Sequence, residues 1–175
     1  MRDHYRDLPS HYYKRDHVYD FRPFFRCIDP DAYILNLGCG RAESLLTYQN
    51  AHGVDFNDSL IPLWHKLKVD DRCHIYDVAD GLPWPSNEFS YTISVDFLEH
   101  VQPDSVDAVL AEVVRLAPHG RHVIDTKAES RFRGPGGENL HPSANNPVFW
   151  EEAFKRAGAA DYTYQLRGAF VFASW

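Results

Sequence analysis

The chain alternates short apolar runs with segments of helical spacing, and this alternation restricts the fold more than any other feature. In residues 104–117, apolar side chains recur every three or four positions, which predicts an amphipathic helix. Strands that alternate with helices form parallel sheets covered on both faces. The sequence therefore predicts an α/β fold. Buried strands are expected at residues 33–37, 52–56, 73–78, 91–98 and 121–126.

The C-terminal residues predict two strands joined by a tight turn instead of by a helix. Residues 161–166 and 169–174 have strand character and flank Arg167 and Gly168, so we expect a C-terminal hairpin. The length of 175 residues suits one domain. We assign residues 33–175 to it and residues 1–32 to a cap that covers the substrate.

Two glycines surround a cysteine directly after the first strand, at Gly38, Cys39 and Gly40. A strand, a Gly-x-Gly turn and a helix in this order let a ligand approach the backbone, although a tight turn alone explains the pattern equally well. The dinucleotide fingerprint needs another glycine where this chain has Glu43, which disfavours a nicotinamide cofactor. Asp55 ends the second strand, where an acid can accept both hydroxyls of a ribose.

Four stretches of the chain, two of which contain the glycine turn and Asp55, resemble the motifs of a known family. "ILNLGCG", "GVDFND", "YDVADGLPWPSNEFSYTISVDFLEHV" and "VVRLAPHGRHVIDT" resemble the class I S-adenosylmethionine-dependent methyltransferases, with the closest likeness to the small-molecule, ubiquinone-biosynthesis-like branch. The resemblance covers about residues 33–160. It implies a Rossmann-like methyltransferase fold with a mostly parallel seven-stranded sheet, helices on both faces and a reversed last strand, and it implies S-adenosyl-L-methionine as the cofactor.

The resemblance also implies the cofactor contacts. Asp55 would bind the ribose hydroxyls and Phe56 would pack on the adenine. Asp77 would accept from the adenine amino group beside the Val78 backbone. Asn36 stands where the family usually has an acid that holds the cofactor's amino group, so the charge-assisted part of that contact is lost. The full set of expected cofactor residues is Asn36, Gly38, Cys39, Gly40, Asp55, Phe56, Asp77, Val78 and Asp96, the last bordering the methyl-transfer site.

Methyl transfer to a hydroxyl or protonated nitrogen needs a base near neutrality, and histidine suits this role. His100 follows the fourth strand and His141 lies in the irregular stretch 127–146, so both are candidates. His100 can equally cap the following turn, and His141 can equally be an exposed loop residue.

The same irregular stretch is rich in glycine, proline and asparagine, which is typical of a substrate lid in an open-sheet enzyme. Its positive charges, Lys127, Arg131 and Arg133, favour an anionic acceptor, although solvated loop charges explain them equally well. Tyr12 and Tyr13 are candidates for the other wall of the site.

The net charge of −7 disfavours a basic nucleic-acid binder, and no run of apolar residues is long enough to span a membrane. We therefore expect neither duplex DNA nor a membrane as partner, and a cytoplasmic location. The three cysteines form no close pair, so we predict reduced thiols and no metal site. The oligomeric state is left open.

These patterns predict a methyltransferase that acts on a small anionic, nucleotide-like or sugar-like acceptor. Two alternatives remain at this point. The chain could methylate RNA or protein through its N-terminal aromatic and basic segment, or it could bind the cofactor as a catalytically silent partner subunit.

Overall fold

The computed structural model describes residues 21–128, 133–134 and 137–175. Its seven strands form one sheet in the order β3-β2-β1-β4-β5-β7-β6. The first five strands run parallel, and β7 runs antiparallel to both β5 and β6. The predicted α/β architecture, the reversed last strand and the C-terminal hairpin are therefore confirmed. The strands are β1 Ile34–Leu37, β2 Ala51–Asp55, β3 Cys73–Ile75, β4 Tyr91–Val95, β5 His119–Asp125, β6 Thr163–Arg167 and β7 Phe170–Ser174.

The helices begin and end where the local sequence provides start and stop signals. Asn146 caps the last helix because its side chain accepts from the Phe149 N–H, and Gly158 ends that helix at a φ of 104°. One 3-10 turn follows β2, one follows β3, and two follow β4. The α-helices are α1 Arg22–Phe25, α2 Glu43–Thr47, α3 Ile61–Leu67, α4 Val106–Leu116 and α5 Pro147–Ala157.

Two apolar clusters cover the two faces of the sheet, because successive strand residues point to opposite sides. Leu35 packs with the apolar face of α4 and with Trp150 of α5. Its neighbour Ile34 packs with Trp64 of α3 and with Phe24 of α1. Helices thus lie on both faces, as predicted.

Two predicted strands are too long. The third ends at Ile75 instead of residue 78, because Asp77 accepts from the Ala79 N–H and starts a 3-10 turn. The fourth ends at Val95 instead of residue 98, because Asp96 takes a φ of 58°, which is not extended backbone. Both differences place polar residues in turns just beyond the sheet.

The helix α1 was not predicted, and it lies inside the segment assigned to a cap. Its Phe24 and Phe25 are buried in the second cluster. Residues 1–20 lie outside the described residues, so the cap and its boundary at residue 32 stay predictions. None of the helices in the described part of the chain has the length and apolar character needed to cross a bilayer.

Candidate active site

The order of the strands reverses between β1 and β4, and open α/β sheets bind ligands beyond the carboxyl ends of the strands at such a point. The glycine turn follows β1 there, with Gly38 at φ +63° and Gly40 at φ +49°. A Cβ at Gly38 would lie 2.5 Å from Cδ2 of Phe97, which follows β4. Gly38 is therefore required by a close approach between the turn after β1 and the turn after β4.

Asp55 fastens this glycine turn to the end of β2. Its Oδ2 accepts from the Gly40 N–H at 2.9 Å, and its Oδ1 accepts from the Asn57 N–H at 3.0 Å. The indole Nε1 of Trp64 donates to the Gly40 carbonyl at 2.8 Å. Burial raises the pKa of Asp55 to about 6, and the backbone donors oppose that rise. The turn is held from both sides before any ligand binds.

Cys39 lies inside the turn as a packing residue. Its thiol is buried, and a Cβ at Gly53 would come within 2.7 Å of it. Burial raises the pKa of the Cys39 thiol well above its usual range, and the neighbouring Cys73 adds to this. A thiol in this state is a poor nucleophile.

The polar groups around the turn fit an adenosyl cofactor. A carboxylate has about four lone-pair positions, so Asp55 keeps acceptor capacity for a hydroxyl after binding the backbone donors of Gly40, Asn57 and Phe56. The Asn36 amide donates to Ser44 Oγ at 2.6 Å, which fixes its orientation and leaves its carbonyl oxygen as an acceptor. Asp77, Val78 and Phe56 lie directly after β3 and β2, on the same edge of the sheet.

A second group of polar residues lies beyond β4. The rings of His100 and His141 are 4.8 Å apart and nearly perpendicular, although these residues are far apart in the sequence. Ligand atoms of Glu99, His100 and His141 all lie within 4.8 Å of one another. The structure thus brings together the two histidines that were predicted separately as candidate bases, and adds a glutamate to them.

Glu99 is completely buried. Its Oε1 accepts from the Asp125 N–H at 2.9 Å, while its Oε2 has no hydrogen-bond donor among the described residues. Burial raises the pKa of the Glu99 carboxyl well above its usual range, and the adjacent Asp96 carboxyl raises it further. These two carboxyl groups can hydrogen-bond to each other only when one of them holds a proton.

Backbone carbonyls orient both histidines. Nδ1 of His100 lies 2.6 Å from the Leu140 carbonyl oxygen, and Nδ1 of His141 lies 3.2 Å from the Lys127 carbonyl oxygen. A carbonyl only accepts, so each Nδ1 carries the hydrogen, and Nε2 carries the lone pair in the neutral ring. Each histidine therefore presents a basic nitrogen on the side away from its carbonyl.

The predicted substrate residues are only partly described. Lys127 is exposed, and its Nζ lies 5.9 Å from the centre of the Phe170 ring. Arg133 is exposed, and its backbone forms an isolated antiparallel β-bridge with that of Asn139. Tyr12, Tyr13 and Arg131 lie outside the described residues, so their roles stay predictions.

Sequence reasoning did not select Glu99 as a site residue. The signal was present, because a glutamate directly before a candidate histidine follows a buried strand. Its burial depends on the segment around Ser143, whose N–H donates to the Glu99 carbonyl at 3.1 Å. That contact joins the turn after β4 to the irregular stretch, and no local pattern predicts it.

Comparisons with solved structures agree with this fold. DhpI in complex with S-adenosylhomocysteine is 17% identical, with a TM-score of 0.72 and coverage of 99% of this chain and 93% of that chain. A protein from Pyrococcus horikoshii OT3 is 17% identical, with a TM-score of 0.63 and coverage of 99% and 98%. An S-adenosylmethionine-dependent methyltransferase from Mesorhizobium loti is 14% identical, with a TM-score of 0.63 and coverage of 88% and 95%. At these identities the likeness shows the fold.

No curated protein sequence matches the chain significantly. Residues 35–124, which contain the glycine turn, Asp55, Asp77 and the β4 turn, match the methyltransferase domain family. The match covers more than half of the chain and includes the turns after β1, β2, β3 and β4. The chain therefore belongs to the methyltransferase domain family, whose members depend on S-adenosylmethionine.

Proposed function

We propose that this methyltransferase acts on a small molecule held between the glycine turn and the histidines at positions 100 and 141. The observation that carries the proposal is the contact between the two turns. Phe97 packs against Gly38 on one side and directly precedes the 3-10 turn Leu98–His100 on the other. A cofactor at the glycine turn is therefore next to basic nitrogens. The sequence likeness to the small-molecule, ubiquinone-biosynthesis-like branch agrees with this proposal.

For the cofactor, we assign the ribose hydroxyls to Asp55 and the adenine to Phe56, Asp77 and Val78. Asn36 and the turn of Gly38, Cys39 and Gly40 would hold the methionine portion, and Asp96 would border the methyl group. Support comes from the position of these residues on one edge of the sheet. The buried Asp55 carboxylate is already fixed by Gly40, so little ordering is needed when the cofactor binds.

Bound S-adenosylmethionine supplies a methyl group on a sulfonium. The chain's own residues must position the acceptor in line and receive a proton when the acceptor is a hydroxyl or an ammonium. Nε2 of His100 or of His141 is the group in this region suited to take that proton, because each Nδ1 donates to a carbonyl.

For the acceptor, we propose an anionic small molecule. Lys127 is exposed, and its backbone carbonyl oxygen accepts from His141, while its Nζ lies 5.9 Å from the centre of the Phe170 ring. Arg133 adds a second exposed positive charge on the same irregular stretch. In a chain of net charge −7, two exposed cations on the stretch that carries His141 favour an acceptor with a carboxylate or a phosphate.

The cofactor assignment is tested by calorimetric titration with S-adenosylmethionine and S-adenosylhomocysteine, with NAD and ATP as controls. We expect selective binding of the two sulfur ligands. Asp55→Ala should weaken binding by about 1–3 kcal/mol, the cost of losing hydrogen bonds to a charged acceptor. Unchanged affinity in a folded variant would contradict the ribose assignment.

The acceptor assignment is tested by transfer of a labelled methyl group to pools of anionic and neutral metabolites. We expect labelling in the anionic pool, and Lys127→Ala should raise the KM for that acceptor. Lys155→Ala is the matched control, because Lys155 is exposed on α5 and pairs with Glu151. Salt-sensitive labelling of RNA instead would favour the macromolecular alternative. Tight cofactor binding with no acceptor in any pool would favour the silent partner subunit.

A further inference from the structure

We propose that Glu99, His100 and His141 form a binding site for one divalent transition-metal cation. Their ligand atoms lie within 4.8 Å of one another. Two imidazoles with one carboxylate are a donor set that suits Mn²⁺, Fe²⁺, Co²⁺ or Zn²⁺, whereas Mg²⁺ and Ca²⁺ prefer oxygen donors throughout.

The buried carboxylate is the independent observation that points to a ligand. Glu99 is completely buried, and its Oε2 has no hydrogen-bond donor among the described residues. A buried polar atom without a partner costs about 1–3 kcal/mol. A metal ion bound at Oε2 would supply the missing partner of this buried oxygen.

The histidines are already oriented for metal binding. A histidine that binds a metal through one nitrogen commonly donates its other N–H to a carbonyl or carboxylate. His100 and His141 both have this arrangement, with Nδ1 facing the carbonyls of Leu140 and Lys127. In each ring, Nε2 is therefore the nitrogen that does not face the carbonyl.

The site must contract when the ion binds. Two ligands of a tetrahedral zinc ion are about 3.4 Å apart, since each bond is about 2.1 Å and the angle between two bonds is about 109°. The outermost pair of ligand atoms, at up to 4.8 Å, must therefore approach by at most about 1.4 Å. His141 lies in an irregular stretch, where a small rotation of the ring requires no change in the sheet.

Such an ion would deepen the function proposed above. A cation coordinated by an acceptor's hydroxyl would lower the pKa of that hydroxyl, so its proton would pass to solvent water rather than to a histidine. The two histidines would then act as ligands. This role rests on the proposed function, but cation binding itself does not, because it requires neither cofactor nor acceptor.

The test is direct binding of metal ions to the full chain. Protein stripped with a chelator is titrated with Mn²⁺, followed by the electron paramagnetic resonance of free Mn²⁺, and with Zn²⁺ and Co²⁺ by calorimetry. We expect one ion per chain. Glu99→Gln should lower the affinity at least about tenfold, the smallest loss seen when even an orienting group is removed. The glutamine can still accept from the Asp125 N–H, so this variant keeps the local fold.

A second variant and a control make the result specific. His141→Ala should lower the affinity at least as much as Glu99→Gln does. His52→Ala should not, because His52 belongs to another close pair, with its Nδ1 3.1 Å from Nε2 of His74. Absence of stoichiometric binding by the unaltered chain would show that a proton satisfies Glu99, and loss of binding only in His52→Ala would place the ion elsewhere. Either result overturns the proposal, whereas titration with S-adenosylmethionine separately tests the methyltransferase function.

Discussion

Replacement of Gly38 by alanine tests the contact between the turn after β1 and the turn after β4. Gly38 has a φ of +63°, and an alanine in that conformation costs about 1–2 kcal/mol. The added Cβ would also lie 2.5 Å from Cδ2 and 3.0 Å from Cγ of Phe97. Overpacking of this kind costs about 1–3 kcal/mol, so we expect a total loss of about 2–5 kcal/mol in the free energy of unfolding.

The assay is equilibrium unfolding in urea, with Gly158→Ala as the control. Gly158 also has left-handed backbone, at a φ of +104°, and the nearest atom to where its Cβ would be, Cγ1 of Val114, lies at 3.7 Å, which is an ordinary contact. The control therefore carries the backbone cost without the clash, and we expect it to lose only about 1–2 kcal/mol.

The clash itself is isolated by a double-mutant cycle with Phe97→Ala. In the Phe97→Ala background, Gly38→Ala should cost less than it does in the unaltered protein, because both ring contacts are gone. We expect a coupling of about 1–3 kcal/mol. Additive effects, or a Gly38→Ala loss no larger than that of Gly158→Ala, would refute the argument that the phenylalanine requires glycine here.

The remaining predictions concern buried polar groups. The pKa of Asp55 is about 6 in the folded protein, raised from 3.8 by burial, so the folded protein binds this proton more readily than the unfolded chain and loses stability as pH rises from about 4 to 6. The unfolding free energy of Asp55→Asn relative to the unaltered protein should therefore rise by about 3 kcal/mol between pH 4 and pH 7 in urea titrations, and a constant difference would contradict this. His122 is fully buried with a pKa of about 3, so it stabilises the fold above pH 6.5 and loses that contribution as pH falls towards 3. His122→Gln should shift the acid unfolding midpoint, followed by circular dichroism, to lower pH, and an unchanged midpoint would show that other groups control acid unfolding. Trp64→Phe removes the donor to the Gly40 carbonyl and should lower the unfolding free energy by about 1–3 kcal/mol, whereas a neutral change would mean that the indole does not fasten the turn.

Much of the fold was predictable because its signals are local. The stripe of Val109, Leu110 and Val113 predicted α4, and the turn at Gly168 predicted the hairpin of β6 and β7. The ends of β3 and β4 were not predictable in this way. Apolar residues continue beyond both strands, but the capping contact of Asp77 and the left-handed backbone of Asp96 end the extended structure.

The candidate site also has one part with local sequence signals and one part that depends on tertiary contacts. The residues predicted to bind the cofactor lie at or just after the ends of β1 to β4, so their positions along the chain indicate that they share one side of the sheet. The group of Glu99, His100 and His141 has no such signal, because an irregular stretch brings His141 back to the turn after β4. That return depends on tertiary contacts such as the one between Glu99 and Ser143, and the sequence therefore predicted two separate histidines instead of this group.

The pairing of β1 with β4 also has a consequence for how the protein folds. Residue 34 pairs with residue 51 and with residue 91, so the second pairing closes a much longer loop than the first. Long-range parallel pairings of this kind form slowly. A cofactor that contacts the turns after both strands can bind only once β1 has paired with β4. It therefore stabilises contacts that form late in folding. Saturating S-adenosylmethionine should therefore slow unfolding of the protein and leave its refolding rate nearly unchanged.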